Sequence, residues 1–222
     1  VVISPSLRSE DIIRTLEENA ITLVIGVPRF YSLIQKGIKE KINKSIIAKA
    51  LFNVAALLKS RTFSRTVFKS VHKKFGGAVR YLISGGAALD ITVSKYFLTL
   101  GFEVLEGYGM TETAPMITFT RPGRYIPGAA GQALPATTIR TIESEFVVSG
   151  RNVMKGYFNK PAETCEVLKN GWLHTGDLGY VDEKGFVFIT GRKKDIIVLS
   201  SGKNINPVLI EEKLLAFSDY IK

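Results

Sequence analysis

The sequence lacks the residues that several kinds of site require. Cys165 is the only cysteine among 222 residues, which excludes an internal disulfide framework and fits a reducing, cytoplasmic compartment. His72 and His174 are the only histidines, so the Cys and His set for a structural zinc site is one ligand short of four. No apolar run reaches the length of a bilayer span, and the N-terminus shows no basic stretch followed by an apolar one; neither a membrane helix nor a secretory leader is expected. Acid is scarce in one region. Between positions 36 and 74, Lys36, Lys39, Lys41, Lys44, Lys49, Lys59, Arg61, Arg65, Lys69, Lys73 and Lys74 are set against Glu40 alone.

What is present is an ordinary globular balance, 45% hydrophobic and 23% charged, with a net charge of +10 concentrated in that basic stretch. The length admits one large domain or one and a fraction. Val1–Ile3 reads as strand-like, Ser9 as the cap of a helix carrying Ile12, Ile13 and Leu16 on one face, and Thr22–Val27 as a buried strand. Pro28 suits the first turn of the next helix. Helix between strands predicts a parallel α/β layer. The 36–74 stretch reads as one or two amphipathic helices with a solvated basic face. Its functional alternative is an anionic membrane surface or a polyanionic substrate. No aromatic interleaving or binding motif supports nucleic acid as a partner.

Val79–Ile83 is a further strand candidate, opening into Ser84-Gly85-Gly86-Ala87-Ala88-Leu89 and a helix capped by Asp90 or Thr92. Phe102–Leu105 is another, followed by Glu106-Gly107-Tyr108-Gly109-Met110-Thr111-Glu112-Thr113, read as a glycine-rich turn. The glycines let backbone approach a planar ligand that Tyr108 can stack on. Thr111 can donate to a phosphate oxygen, and Glu112 can hold a hard cation such as Mg2+. The bland alternative is a turn with a solvated Glu112. From Thr118 onward, short apolar runs broken by Gly, Pro and Asn predict a β-rich lobe with strands near 138–140, 145–148, 178–181 and 185–189. Asp182–Gly185 reads as a hairpin turn, Gly191–Asp195 as a charged break, and Val208–Phe217 as a final helix.

The ordered set Ser84–Leu89, Glu106–Thr113, Gly171-Trp-Leu-His-Thr-Gly-Asp-Leu178 and Gly191-Arg-Lys-Lys-Asp195 resembles the AMP-forming acyl-CoA synthetases of the adenylate-forming superfamily. Gly128–Gln132, Asn152–Phe158 and Gly202–Pro207 extend the resemblance over nearly the whole chain, and Val27-Pro28-Arg29, the basic helical stretch and Leu199–Asn204 are similar to the long-chain fatty-acid branch. The resemblance implies an α/β fold: the later part of the large domain, parallel layers over 1–119 and a β-rich lobe over 120–192, then the start of a small α+β C-terminal domain over 193–222. It implies ATP, Mg2+ and CoA as ligands and a fatty acid as substrate. Gly85, Gly86, Ala87, Glu106, Gly107, Tyr108, Gly109 and Thr111 would surround the nucleotide, Glu112 would hold the metal, and Asp177 and Arg192 would meet ribose and phosphate. Lys194 matches the hinge between domains, and Gly202 lines the path of the CoA arm. Trp172 and His174 are read as packing residues, and Cys165 as inert.

The sequence departs from the family pattern in three places. The phosphate loop ending in Lys belongs upstream of Val1, the acyl-phosphate lysine belongs downstream, and Thr141–Phe146 stands where Gly-Glu is usual. The expectation is an internal fragment, inactive by itself. Two other readings compete: an adenylating ligase for another carboxylic acid, and a noncatalytic nucleotide- or membrane-binding module.

Overall fold

The computed structural model describes residues 1–6, 8–198, 204, 205, 207, 210 and 214. The chain divides into two compact units. The first comprises Val1–Tyr108 with Phe119–Gly131, and the second Gly109–Thr118 with Gln132–Lys222.

In the first unit, helices and strands alternate as the hydrophobic periodicity dictates. α1 (Ser9–Glu18) leads to β1 (Leu23–Gly26), and α2 (Pro28–Asn43) begins at its proline, whose missing N–H is harmless in a first helical turn. α3 (Ile46–Leu58), α4 (Arg61–Val67) and α5 (Lys69–Lys74) follow, the first two capped by Ser45 and Ser60 side chains. β2 (Tyr81–Ser84), α6 (Ile91–Thr99) and β3 (Glu103–Gly109) complete the alternation. β2 pairs in parallel with both β1 and β3, so the expected parallel layer forms. Asp90 caps α6, its carboxylate accepting from the N–H groups of Thr92 and Val93.

The core of this unit is aromatic. Tyr31, Phe97 and Phe102 are buried among Leu82, Leu100 and Val104. Phe97 lies edge-on to both Tyr31 and Phe102, with ring centroids 6.0 and 6.2 Å apart. Burying each such ring removes about 1.5–3 kcal/mol of apolar hydration cost. The Tyr31 hydroxyl donates to the carbonyl of Ile83 at 2.7 Å and lies 3.0 Å from that of Val24, so it bolts α2 across β1 and β2. Burial raises its phenol well above the ordinary value.

The second unit is an antiparallel sheet. After β4 (Met116–Phe119, whose last residue belongs to the first unit) and β5 (Gln132–Ala133) come β6 (Thr137–Ile142) and β7 (Glu145–Gly150). α7 (Pro161–Val167), β8 (Leu168–Lys169), β9 (Trp172–Val181) and β10 (Val187–Arg192) follow, in sheet order β10-β9-β7-β6 with β8 on β9. Phe146, Val147, Val148, Leu173 and Val187 are buried in it. The turn over Asp182–Gly185 forms as read, with the Asp182 carboxylate accepting from Lys184 and Phe186 N–H. A 3-10 turn over Lys193–Asp195 leads to the short pair β11 (Ile197–Val198) and β12 (Asn204–Ile205).

Several local expectations are corrected. Val1–Ile3 forms no strand and is exposed. Ser9 is the first residue of α1 rather than its cap; Arg8 holds the cap position without a side-chain bond. β1 pairs only with β2 among the described residues, and Leu23 and Ile25 are exposed instead of buried. Glu106-Gly107-Tyr108-Gly109 continues β3 instead of turning, because pairing with β2 carries the strand through Glu106. Thr175-Gly176-Asp177, where Gly-Asp would favour a turn, likewise lies within β9. The helix read over Val208–Phe217 lies largely outside the described residues.

Candidate functional site

The first unit gathers polar groups at the C-terminal ends of its parallel strands, where α/β sheets bind ligands. Ser84, the last residue of β2, is in register with Glu106 of β3. The turn that follows passes over β3: a Cβ on Gly85 would lie 4.0 Å from the Gly107 carbonyl oxygen. Gly86 has φ +85°, a left-handed conformation that a side chain would strain, and Gly86 and Ala87 are exposed. Tyr108 is buried one step further along β3.

Glu106 is the unusual member. It is 7% exposed, the Leu89 N–H bonds its carboxylate, and its Oε1 has no hydrogen-bond partner. Burial pushes its carboxyl up to about 7, against the Leu89 bond, which favours the ionised form. Ser84 Oγ and Thr120 Oγ1 are buried and unpartnered too, and the Thr120 N–H donates to the Glu106 carbonyl at 2.8 Å. Native interiors leave few such atoms unsatisfied, so this cluster is the mark of a ligand or bound water.

The second unit carries the other candidates. Thr111, Glu112 and Thr113 form a 3-10 turn fixed from within: Thr113 Oγ1 donates to the Met110 carbonyl at 2.9 Å, and the Met110 N–H returns a bond at 3.2 Å. A Cβ on Gly109 would lie 1.8 Å from the Pro115 carbonyl oxygen, so only glycine admits that approach. Thr111 is exposed. The Glu112 carboxylate accepts from the Tyr157 hydroxyl at 2.8 Å, and its carbonyl accepts from the Met154 N–H at 2.8 Å. The carboxylate holds the Tyr157 phenol above its ordinary value. No group of three or more His, Cys, Asp or Glu side chains clusters among the described residues. One half-buried carboxylate suits Mg2+, which takes one or two protein carboxylates and completes its shell with water and phosphate oxygens.

Asp177 and Arg192 stand opposite one another on β9 and β10, with Arg192 Nε donating to Asp177 Oδ1 at 2.9 Å. Asp177 is buried while the Arg192 side chain is 67% exposed. Beside them is a cluster that sequence reasoning missed. Glu145 on β7 accepts from Lys193 Nζ and from the Gly176 N–H, each at 3.0 Å, and His174 Nδ1 lies 3.5 Å away. Burial raises the Glu145 carboxyl, but the bonds from Lys193 and Gly176, the Lys193 charge and the nearby His174 outweigh it and hold the group below its ordinary range. Lys193 thereby fastens the 3-10 turn to β7, while Lys194, in the same turn, is exposed. Trp172 packs under the Arg140 guanidinium, 4.7 Å from its centroid. Tyr157 was also missed; a Gly-Tyr-Phe run gives no sign that its hydroxyl meets a carboxylate 45 residues earlier. Gly202 lies outside the described residues.

The structure therefore brings Ser84, Gly85, Glu106 and Gly107 together in the first unit, and separately pairs Asp177 with Arg192 in the second.

Comparison with known proteins follows the same residues. Residues 1–158 match the family model described as AMP-binding enzyme. The long-chain-fatty-acid–CoA ligase FadD15 of Mycobacterium bovis is 37% identical over 159 residues, covering 71% of this chain and 26% of the relative. The peroxisomal long chain acyl-CoA synthetase 7 of Arabidopsis thaliana is 32% identical, covering 90% of this chain and 33% of the relative. Among solved structures, the ATP-bound RpMatB-BxBclM chimera B1 superposes with a TM-score of 0.72 at 31% identity, over 96% of this chain and 38% of that one. The O-succinylbenzoate coenzyme A synthetase of Bacillus subtilis in complex with AMP gives 0.69 at 26%, over 94% and 39%. This chain thus spans about a quarter to a third of the curated relatives it matches.

Proposed function

This chain belongs to the AMP-binding enzymes, and from that premise we propose that the protein activates a long-chain fatty acid as its acyl-adenylate and transfers the acyl group to CoA. In the first step a fatty carboxylate oxygen attacks the α-phosphorus of ATP, the bond from that phosphorus to the bridging oxygen breaks, and pyrophosphate leaves. In the second the CoA thiolate attacks the acyl carbon, the carbon–oxygen bond to the phosphate breaks, and AMP leaves. Neither step needs a nucleophilic side chain, so the work of the protein is positioning and charge stabilisation.

The observation that carries the reading is the pre-set carboxylate of Glu112, held by Tyr157 inside a stretch 37% identical to a named long-chain-fatty-acid–CoA ligase. Glu112 is the residue that would hold Mg2+, with Thr111 beside it for a phosphate oxygen. Bound there, Mg2+ would supply neutralisation of phosphate charge. Asp177, a carboxylate paired with Arg192, would accept from ribose hydroxyls. Tyr108 would supply the adenine platform, flanked by Gly107 and Gly109, with Gly85, Gly86 and Ala87 forming the turn above and Glu106 adding an acceptor. Lys194 would act as the hinge between the large domain and a small C-terminal one, reorienting them between the two steps, and Gly202 would line the CoA path. The reading places the protein in the cytoplasm, with its 36–74 stretch against an anionic membrane surface.

The test is CoA thioester formation by the full natural chain with ATP, Mg2+ and a panel of long-chain, aryl and amino acids. Turnover that favours the long-chain acids supports the reading. Turnover with only aryl or amino acids identifies a ligase for another acid, and nucleotide binding without turnover identifies a noncatalytic module; either overturns it.

A further inference from the structure

α3 is apolar on two sides, and only one is covered. Ala48, Phe52 and Ala55 face the core, where the Phe52 ring centroid lies 4.8 Å from that of Tyr96 and 6.1 Å from that of Phe68. At 3.6 residues per turn, Ile46, Leu57, Val54, Ile47, Leu58 and Leu51 fall on one continuous arc of about 140° on the other side. That arc lies in solvent: Ile46 is 89% exposed, Leu57 81% and Ile47 73%. A contiguous exposed apolar face of this kind marks an interaction site.

The charges around the arc specify its occupant. Lys44 and Lys59 stand just beyond the two ends of the helix and Lys49 lies about 60° outside the arc; all three are exposed. Glu40 is the only acid anywhere between positions 36 and 74. A protein groove would cover the apolar arc but leaves this one-sided charge unexplained. An anionic bilayer meets both demands, since its acyl region takes the Ile and Leu side chains and its headgroups take the ammonium groups, which reach outward on flexible stems. Thirteen residues rise about 20 Å, short of the roughly 30 Å hydrocarbon core, and no described helix is long and apolar enough to cross a membrane. A helix of this length can lie along an interface but is too short to span.

We propose that α3 is an interfacial anchor, inserting its Ile46–Leu58 apolar arc into an anionic lipid surface with Lys44, Lys49 and Lys59 at the headgroups. This inference deepens the membrane contact read for the 36–74 stretch and rests on it. The anchor would hold the proposed ligase where long-chain fatty acids partition.

The test is co-flotation of the full natural chain with vesicles of phosphatidylcholine alone and of phosphatidylcholine with phosphatidylglycerol. Wild-type protein floats with the anionic vesicles. The Ile46→Glu, Leu57→Glu double variant, altered at exposed positions that leave the core intact, loses about tenfold or more of that binding. A separate Leu57→Trp variant shows blue-shifted emission on the anionic vesicles. If the double variant floats as well as wild type while a Lys44→Gln, Lys49→Gln, Lys59→Gln variant does not, the contact is electrostatic adsorption and insertion is overturned. If wild-type protein does not float at all, the membrane contact itself falls. If wild type is dimeric and the double variant monomeric without any flotation, the face joins two copies of this chain and the proposal is overturned. Thioester synthesis from detergent-dispersed fatty acid stays at the wild-type level in every variant, which separates failure of the anchor from failure of the ligase reading.

Discussion

A bulge in β10 is what brings Arg192 opposite Asp177. The register of β9 and β10 pairs Ile189 with Gly179 and then Gly191 with Leu178, skipping one residue; without that skip Arg192 would face Gly176. The guanidinium thus meets a buried carboxylate across the two strands.

Asp177→Asn should therefore weaken nucleotide binding with little loss of fold. A hydrogen bond to a charged group contributes about 1.5–3 kcal/mol, so affinity for AMP should drop roughly tenfold to a hundredfold. Titration calorimetry with AMP measures this. An unchanged affinity would remove Asp177 from the site.

Tyr157→Phe removes the hydroxyl that orients Glu112 and leaves the ring in place. Losing a bond worth about 1 kcal/mol should slow thioester formation about fivefold to tenfold. The deficit should persist at saturating ATP, because the residue acts through the carboxylate. A change in KM for ATP alone, at full kcat, would contradict that role.

Glu106 makes stability depend on pH. Its folded carboxyl, raised to about 7, stands above the ordinary 4.5, so between these values the folded chain binds more protons than the unfolded one. The contribution is fully present below the ordinary value and is lost as pH rises through about 7. The shift corresponds to about 3 kcal/mol at most. Urea denaturation at about pH 5 and about pH 8 should show the loss in wild type and a smaller one in Glu106→Gln. Parallel pH profiles for the two proteins would show that Glu106 ionises freely in the folded state.

The β6–β7 hairpin carries avoidable strain. Glu143 and Ser144 have φ of 49° and 66°, both left-handed, in the two-residue turn between Ile142 and Glu145. Such turns favour Asn-Gly, and this is the place where the sequence departs from the Gly-Glu usual in the resembled family. Replacing the pair by Asn-Gly should stabilise the protein by about 1 kcal/mol, seen as a higher urea midpoint. No gain would mean that other contacts of the turn set its energy.

Elements whose signals are local were legible in the sequence. Pro28 opens α2, Asp90 caps α6, and the Asp182 turn forms as its side chain dictates. Features set by pairing across the chain were not. β3 runs on through Glu106–Gly109 because β2 offers it partners, although the glycines favour a turn. β1 carries a buried-strand pattern, yet its Leu23 and Ile25 are exposed. Glu145 meets Lys193 across 48 residues, and Glu112 meets Tyr157 across 45; no local spacing encodes either contact. The candidate residues themselves were readable as motifs. Which of them bond to each other, and the unpartnered oxygen on Glu106, emerged only from the fold.

The central claim, adenylation of a fatty acid, is tested most directly by exchange of labelled pyrophosphate into ATP by the full natural chain without CoA. That exchange reads the first chemical step alone, whatever limits thioester release. The account predicts exchange that requires both Mg2+ and a long-chain fatty acid and that collapses in Glu112→Gln. Exchange that proceeds equally without the fatty acid, or that survives Glu112→Gln at the wild-type rate, would contradict it.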